Sequence, residues 1–436
     1  MNQETQQVDG RSNSHSLENP TTEKSLLKYI LRVLGPGLLM AGAAIGTSHI
    51  VQSTRAGADF GFQLIGLVLL INVLKYPFFE YGHRYAIATG ENLLDGYKRM
   101  GRGFLYAFLL LAIVSAIAST AAVTFVTVAI LQYFVGAVLP PVVWALVIIT
   151  SCIAILFRGH YRSLDFAMKP IMAVLVVATA VALVAALISL PGASPDFVSP
   201  SPWTLTSLAF LIALMGWMPA PIEVSVFQSL WVQAKGRAAG QKVTLKDGRV
   251  DFNVGFGLST LLALVFLSLG ALGMHGTGMV LQESGGGFIT QLVGVYVQLL
   301  GAWAGPVIAI AALATMYSTT LTVIDGYSRA MAVGCRLIAP QLKSPEKLYL
   351  MWMGFVASGA LLVIMSFAGS LTRLIDVVTI MAFFSAPIYG YLNFRLITSS
   401  HTPAALQPGT VMRVLSWIGM IFFVSVGLTY LVIRFV

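Results

Sequence analysis

The chain has 436 residues, of which 57% are hydrophobic and 10% charged, with 26 Lys and Arg against 17 Asp and Glu and a net charge of +9. Soluble domains carry roughly a quarter charged residues, so this composition excludes an ordinary soluble enzyme. The basic residues form no single stripe interleaved with aromatics, which speaks against nucleic acid as a partner.

Residues 1–27 are polar, rich in Ser, Thr, Gln and Asn, and read as a disordered cytoplasmic tail. Residues 28–436 read as one transmembrane domain. Residues 103–157 contain no Asp, Glu, Lys or Arg, and over 171–231 only Asp196 and Glu223 are charged. A bilayer-spanning helix needs about 20 mostly apolar residues, because its backbone must satisfy its own polar groups where there is no water. Eleven such spans are expected, beginning near Leu34, Phe60, Phe104, Pro141, Phe166, Trp203, Phe252, Ala302, Leu348, Leu371 and Val411. Residues 283–300, which open on three glycines, read as an external re-entrant or interfacial helix.

Alternate gaps carry the positive charge: Lys24, Lys28 and Arg32; Arg84, Lys98, Arg99 and Arg102; Arg158 and Arg162; Lys235, Arg237, Lys242, Lys246 and Arg249; Arg336, Lys343 and Lys347; Arg395 and Arg413. The gaps between them, such as 135–140 and 191–202, have almost none. This alternation places the N-terminus in the cytoplasm and the C-terminus outside, in the cell (inner) membrane. Cys152 sits in an apolar run and Cys335 near a basic gap, so neither a disulfide framework nor a zinc site is expected.

Two spans are interrupted. The first runs from Gly35-Pro36-Gly37 through an apolar half to Gly46-Thr47-Ser48-His49, then resumes towards Ala58. The sixth is apolar to Trp217, breaks over Met218-Pro219-Ala220-Pro221, and resumes at Ile222. Pro removes a backbone donor and Gly weakens helix continuity. Each break alone also fits a simple kink. Two breaks five spans apart form the pattern of an inverted repeat, here 34–190 and 203–398 with an extra helix at 411–434, whose half-helix ends face a midplane site.

These residues resemble the natural-resistance-associated macrophage protein (Nramp) family of metal transporters, within the leucine-transporter-like fold. Gly35-Pro36-Gly37-Leu38-Leu39 leads the first helix, Ala56-Gly57-Ala58 closes it, Ala88-Thr89-Gly90-Glu91-Asn92-Leu93 follows the second, and Met218-Pro219 marks the sixth. The resemblance implies an all-α membrane fold and a secondary transporter working by alternating access on a small solute or metal ion. It implies no cofactor and no enzymatic activity. Membrane lipid is the surrounding partner, and nothing in the sequence bears on oligomeric state.

The chain departs from the family where the metal binds. The family's Asp-Pro-Gly-Asn motif falls on Gly46, Thr47, Ser48 and His49, and its Met-Pro-His-Asn on Met218, Pro219, Ala220 and Pro221. The carboxylate is gone and the proton-handling His is replaced by Ala220. By resemblance, the Met218 thioether and the Met215 carbonyl remain as ligands. Hard divalent ions need anionic oxygen to replace their water, whereas one His and one Met make a soft, uncharged partial site.

Several readings stay open for these positions. His49 is a metal ligand, a proton shuttle, a donor to an organic cargo, or a neutral ring bonded to a nearby carbonyl. Met218 is a ligand or a gap-filler. Thr47 and Ser48 bind cargo or cap the second half-helix. Glu223, an intramembrane carboxylate next to a half-helix N-terminus, is the group that senses a cation or proton, or part of a structural ion pair. Arg55 gates, attracts an anion, or reaches the interface. Lys75 and Glu80 are expected to reach the cytoplasmic face or pair with loop charges. Asp325 and Arg329 are expected to pair along one helix, with the hydroxyls of residues 317–320 knitting helices together. Two further functions stay open. In one, the same fold carries an amino acid, since Ile45-Gly46-Thr47-Ser48 looks like a small-residue break that binds a carboxylate through backbone donors. In the other, the chain is a non-transporting receptor or assembly protein.

Overall fold

The computed structural model describes Tyr29 and residues 33–435, apart from 190–196, 240–243, 343 and 368. The tail expected over 1–27 lies outside the described residues. The described chain is helical: α1 Pro36–Ala44, α2 Thr54–Phe60, α3 Ile65–Thr89, α4 Leu93–Met100, α5 Arg102–Val135, α6 Pro141–Ser189, α7 Leu208–Trp217, α8 Val224–Ala239, α9 Leu245–Gly273, α10 Gly285–Leu300, α11 Ala304–Ile338, α12 Pro345–Ser366, α13 Leu371–Ile397 and α14 Thr410–Phe435. Large apolar side chains such as Leu110, Leu187, Leu362, Val411 and Ile421 are exposed on these helices, as a lipid-facing surface requires. The chain is a multi-spanning integral membrane protein.

Both expected interruptions are present. The first span is α1, a turn, a π-helical stretch Ser48–Ser53, and α2; the sixth is α7 and α8 separated by residues 218–223. With 9 residues in α1 and 10 in α7, each half-helix rises roughly 14–15 Å, about half the hydrocarbon core. The breaks therefore fall near mid-depth.

The expected boundary between the fourth and fifth spans differs from the structure. The spans expected from Pro141 and Phe166 are joined in a single helix, α6, of 49 residues. At about 1.5 Å per residue it is far longer than one bilayer crossing. Its apolar stretches, Pro141–Phe157 and Val176–Ile188, remain separate. The charges between them, which suggested a loop, do not interrupt helical hydrogen bonding, because Arg, Lys and Asp are all compatible with a helix interior. Helix α10 has 16 residues, short of a full span, and packs its buried Phe288, Leu292 and Tyr296 beside α5 and α11.

Glycine allows α9 to lie directly on the first span. A Cβ on Gly57 would stand 1.9 Å from the Leu267 carbonyl oxygen, and one on Gly270 would stand 2.2 Å from that of Thr54. On the sixth span, a Cβ on Gly216 would stand 1.8 Å from the Thr379 oxygen of α13. Without a hydrophobic drive between helices in lipid, such backbone contact is a main source of association. Asp251 of α9 fixes the start of α1: its carboxylate accepts the Gly35 and Gly37 amides, each at 2.8 Å. It thus satisfies two orphan donors and places a negative charge at the positive end of the helix.

Candidate functional site

At the first break the helix closes on Ala44, and the Gly46 amide turns back to the Ala44 oxygen at 2.9 Å. The Gly42 carbonyl, no longer met by that amide, accepts the Thr319 hydroxyl of α11 at 3.2 Å. A Cβ on Gly46 would meet Thr319 Cγ2 at 3.0 Å and Oγ1 at 3.3 Å. Thr319 therefore occupies the space into which a longer side chain at position 46 would project.

Ser48 joins the two breaks. Its Oγ lies 2.8 Å from the Ala44 oxygen, 2.8 Å from His49 Nδ1 and 3.3 Å from the Pro219 oxygen. The His49 ring is fully buried, with Nε2 2.8 Å from the Ser259 carbonyl oxygen of α9. A carbonyl only accepts, so Nε2 carries a hydrogen. On a neutral ring Nδ1 then accepts from Ser48. On a protonated ring both nitrogens donate, and Ser48 passes its own hydrogen to Ala44 or Pro219. In either state both ring nitrogens are engaged, and a metal would gain one only by displacing Ser48 or Ser259. Thr47, on the other hand, makes no cap hydrogen bond, and its buried hydroxyl has no hydrogen-bond partner among the described residues.

The second break begins at Met218, whose backbone is extended, with a cis peptide bond to Pro219. Met215, Met218 and Ala220 are all buried. The amine of Lys75, from α3, enters this break. Its Nζ donates to the carbonyl oxygens of Met215 at 2.8 Å, Gly216 at 2.6 Å and Ala220 at 3.2 Å, while the Phe423 ring of α14 lies 5.9 Å away. Lys75 is therefore wholly buried and does not extend to the membrane surface, correcting the sequence expectation. The physical reason is supply and demand: an unwound turn leaves carbonyls without amide partners, and an ammonium offers three donors in one place. Glu80, by contrast, pairs with Arg84 on its own helix at 2.6 Å.

Glu223 stands immediately before α8 and is buried; its Oε1 accepts from Tyr327 of α11 at 3.0 Å, and its Oε2 has no hydrogen-bond partner among the described residues. No ion pair is formed by Glu223 among the described residues; the structure brings it into electrostatic reach of Lys75 instead. The buried hydroxyls of Thr120 and Thr124 on α5 are among those that also lack partners among the described residues.

Arg55 is partly buried. Its guanidinium clamps Asp376 of α13 at 2.8 and 3.4 Å, takes the Gln52 oxygen at 3.1 Å, and lies over the Phe210 ring of α7 at 5.0 Å. Gln52 also donates to Asp376 at 3.0 Å. One cluster thus ties α2, α7 and α13 together to one side of the breaks. Asp325 and Arg329 pair at 2.6 Å, with Tyr349 on the same carboxylate at 2.6 Å. The Tyr317 hydroxyl meets Ser151, and that of Thr320 meets Thr127. Cys152 and Cys335 are free thiols, and no group of three or more His, Cys, Asp or Glu suited to a metal occurs among the described residues.

Sequence reasoning misplaced Lys75 and did not single out Asp376, Asp251 and Tyr327. A lysine in mid-span was the available signal, since an intramembrane charge is expensive and needs a partner. The other three become visible only once distant helices are brought together.

The geometry agrees with the comparisons. The family profile described as natural resistance-associated macrophage protein-like (Nramp) matches residues 37–433. An uncharacterised protein of Pasteurella multocida is 42% identical over 378 residues, spanning 86% of this chain and 87% of its own. The divalent metal cation transporter MntH 1 of Pseudomonas aeruginosa is 27% identical over 375 residues, spanning 80% of this chain and 82% of its own. A mutant of the Eremococcus coleocola manganese transporter has the same fold, with a TM-score of 0.72 at 13% identity over 96% of this chain and 88% of that one. The nucleobase-cation-symport-1 family transporter Mhp1 follows at a TM-score of 0.56 and 15% identity, over 91% and 92%. The chain belongs to the natural resistance-associated macrophage protein-like family.

Proposed function

We propose that the chain is a secondary transporter, not an enzyme, moving a small metal cation by alternating access through a site bounded by the two helix breaks. The observation that carries this reading is the meeting of the breaks, where Ser48 reaches the Pro219 carbonyl at 3.3 Å. Thr47 with its unpartnered hydroxyl, the Gly46 backbone, the Met218 thioether and the Met215 and Ala220 carbonyls supply the ligands. His49 braces the first break in the arrangement seen and becomes a ligand only on releasing Ser48 or the Ser259 carbonyl. The set is neutral and includes sulfur, which favours a thiophilic dication over magnesium or calcium. Glu223, with one carboxylate oxygen unpartnered, is the coupling group. Arg55 with Asp376 is the gate that opens when α2 and α13 separate. The alternation of basic gaps supports a cytoplasmic N-terminus, and an all-helical multi-spanning chain is consistent with the inner membrane.

Uptake of radiolabelled manganese, cadmium and an amino-acid mixture into proteoliposomes tests this. Cadmium should accumulate faster than manganese, and Met218→Ala should reduce it strongly. Accumulation of an amino acid alone would replace the metal reading with an organic-solute transporter on the same fold. Accumulation of nothing would favour a receptor.

A further inference from the structure

We propose that the Lys75 ammonium is a tethered cation that fills a cation site built from the carbonyls of the sixth-span break. The site has the features of a coordination shell: three backbone oxygens at 2.6–3.2 Å, two from the last turn of α7 and one from within the unwound segment, converge on one nitrogen. Among the described residues no side-chain carboxylate bonds to the ammonium, so the cradle itself offers backbone dipoles, as carbonyl shells for monovalent cations do. The aromatic face of Phe423 at 5.9 Å, and Glu223 within electrostatic reach, add further attraction for positive charge.

The tether has two consequences. An unwound turn at mid-depth would otherwise leave several carbonyls without donors in a medium that supplies none. Lys75 satisfies them from a different helix, so α3 and the break move together. Lys75 also holds the Met215 and Ala220 oxygens, which therefore bind cargo only when the ammonium withdraws. Lys75 acts as a built-in competitor that raises the threshold for a free dication. This second consequence rests on the transport reading above, while the cation site itself does not.

The test separates the two. Purified protein is melted in detergent with methylammonium, which has three N–H donors, or with tetramethylammonium, which has the same charge and no donors. Wild type should respond to neither. Lys75→Ala, with the cradle emptied, should melt lower and regain several degrees with methylammonium but not with tetramethylammonium, because a ligand that binds only the folded state stabilises it. No recovery, or equal recovery with both ions, overturns the proposal. Should Lys75→Ala not be obtained folded, Lys75→Met, which keeps length without charge, is compared with Lys75→Arg: the arginine variant should melt well above the methionine one, and equal melting overturns it. Cadmium titrated into Lys75→Ala should bind several-fold more tightly than into wild type. Loss of that difference alone, with methylammonium recovery intact, removes the competitor role and leaves the cation site standing.

Discussion

Replacing Asp251 with Ala should unfasten the start of the first span. In the structure the carboxylate accepts two amides, Gly35 and Gly37, both at 2.8 Å, and it is 2% exposed. Each buried donor left without a partner costs about 1–3 kcal/mol, so the pair costs about 2–6 kcal/mol. Loss of the negative charge at the helix N-terminus adds about 0.3–1 kcal/mol. Since about 1.4 kcal/mol is a tenfold change, amides at the start of α1 should exchange with deuterium at least roughly 30-fold faster whenever local opening controls exchange. Asp251→Asn keeps one acceptor oxygen and should fall between wild type and Ala. Hydrogen exchange followed by mass spectrometry, read on the peptide covering 35–39, is the assay. Unchanged exchange there in a folded Asp251→Ala protein would refute the capping argument.

Three other outcomes are expected. Gly57→Ala and Gly216→Ala, whose Cβ atoms would lie 1.9 and 1.8 Å from carbonyl oxygens, should each lose about 1–3 kcal/mol or more through overpacking, while Gly66→Ala, with nothing within 4 Å, should melt like wild type; equal melting of all three would sink the close-contact reading. Arg55→Ala and Asp376→Asn should both lower concentrative uptake and raise passive leak, with the double variant no worse than the worse single one, because one ion pair is removed in each; additive effects in a double-mutant cycle would dismiss the gate. Glu223→Gln should fold yet lose concentrative uptake, and Tyr327→Phe should weaken it several-fold by removing the 3.0 Å donor; unchanged transport and pH dependence in Glu223→Gln would reject the coupling role.

Much of the fold can be read from the residues in order. Pro219, Pro221 and Gly46 announce the two breaks because their effect on the backbone is local, and the apolar runs announce the spans because lipid admits little else. The joined helix α6 was not legible, since the charges between its apolar stretches are compatible with both a loop and a helix. Within the site, the breaks were legible and their partners were not. Arg55 and Asp376 are 321 residues apart, and Lys75 reaches Met215 across 140. No local pattern encodes which carbonyl an ammonium finds. His49 shows the reverse case, a residue whose position was foreseen and whose role depended on contacts with Ser48 and Ser259 that only the fold brings together.

The proposed cargo site lies between the unwound parts of the first and sixth spans. Anomalous diffraction from cadmium-soaked crystals would locate the ion directly. The expected result is a peak in bonding contact with the Met218 sulfur and with backbone or hydroxyl oxygen at Gly46 and Thr47, and its disappearance in Met218→Ala. A peak confined to other parts of the molecule, with none beside Met218, would contradict it.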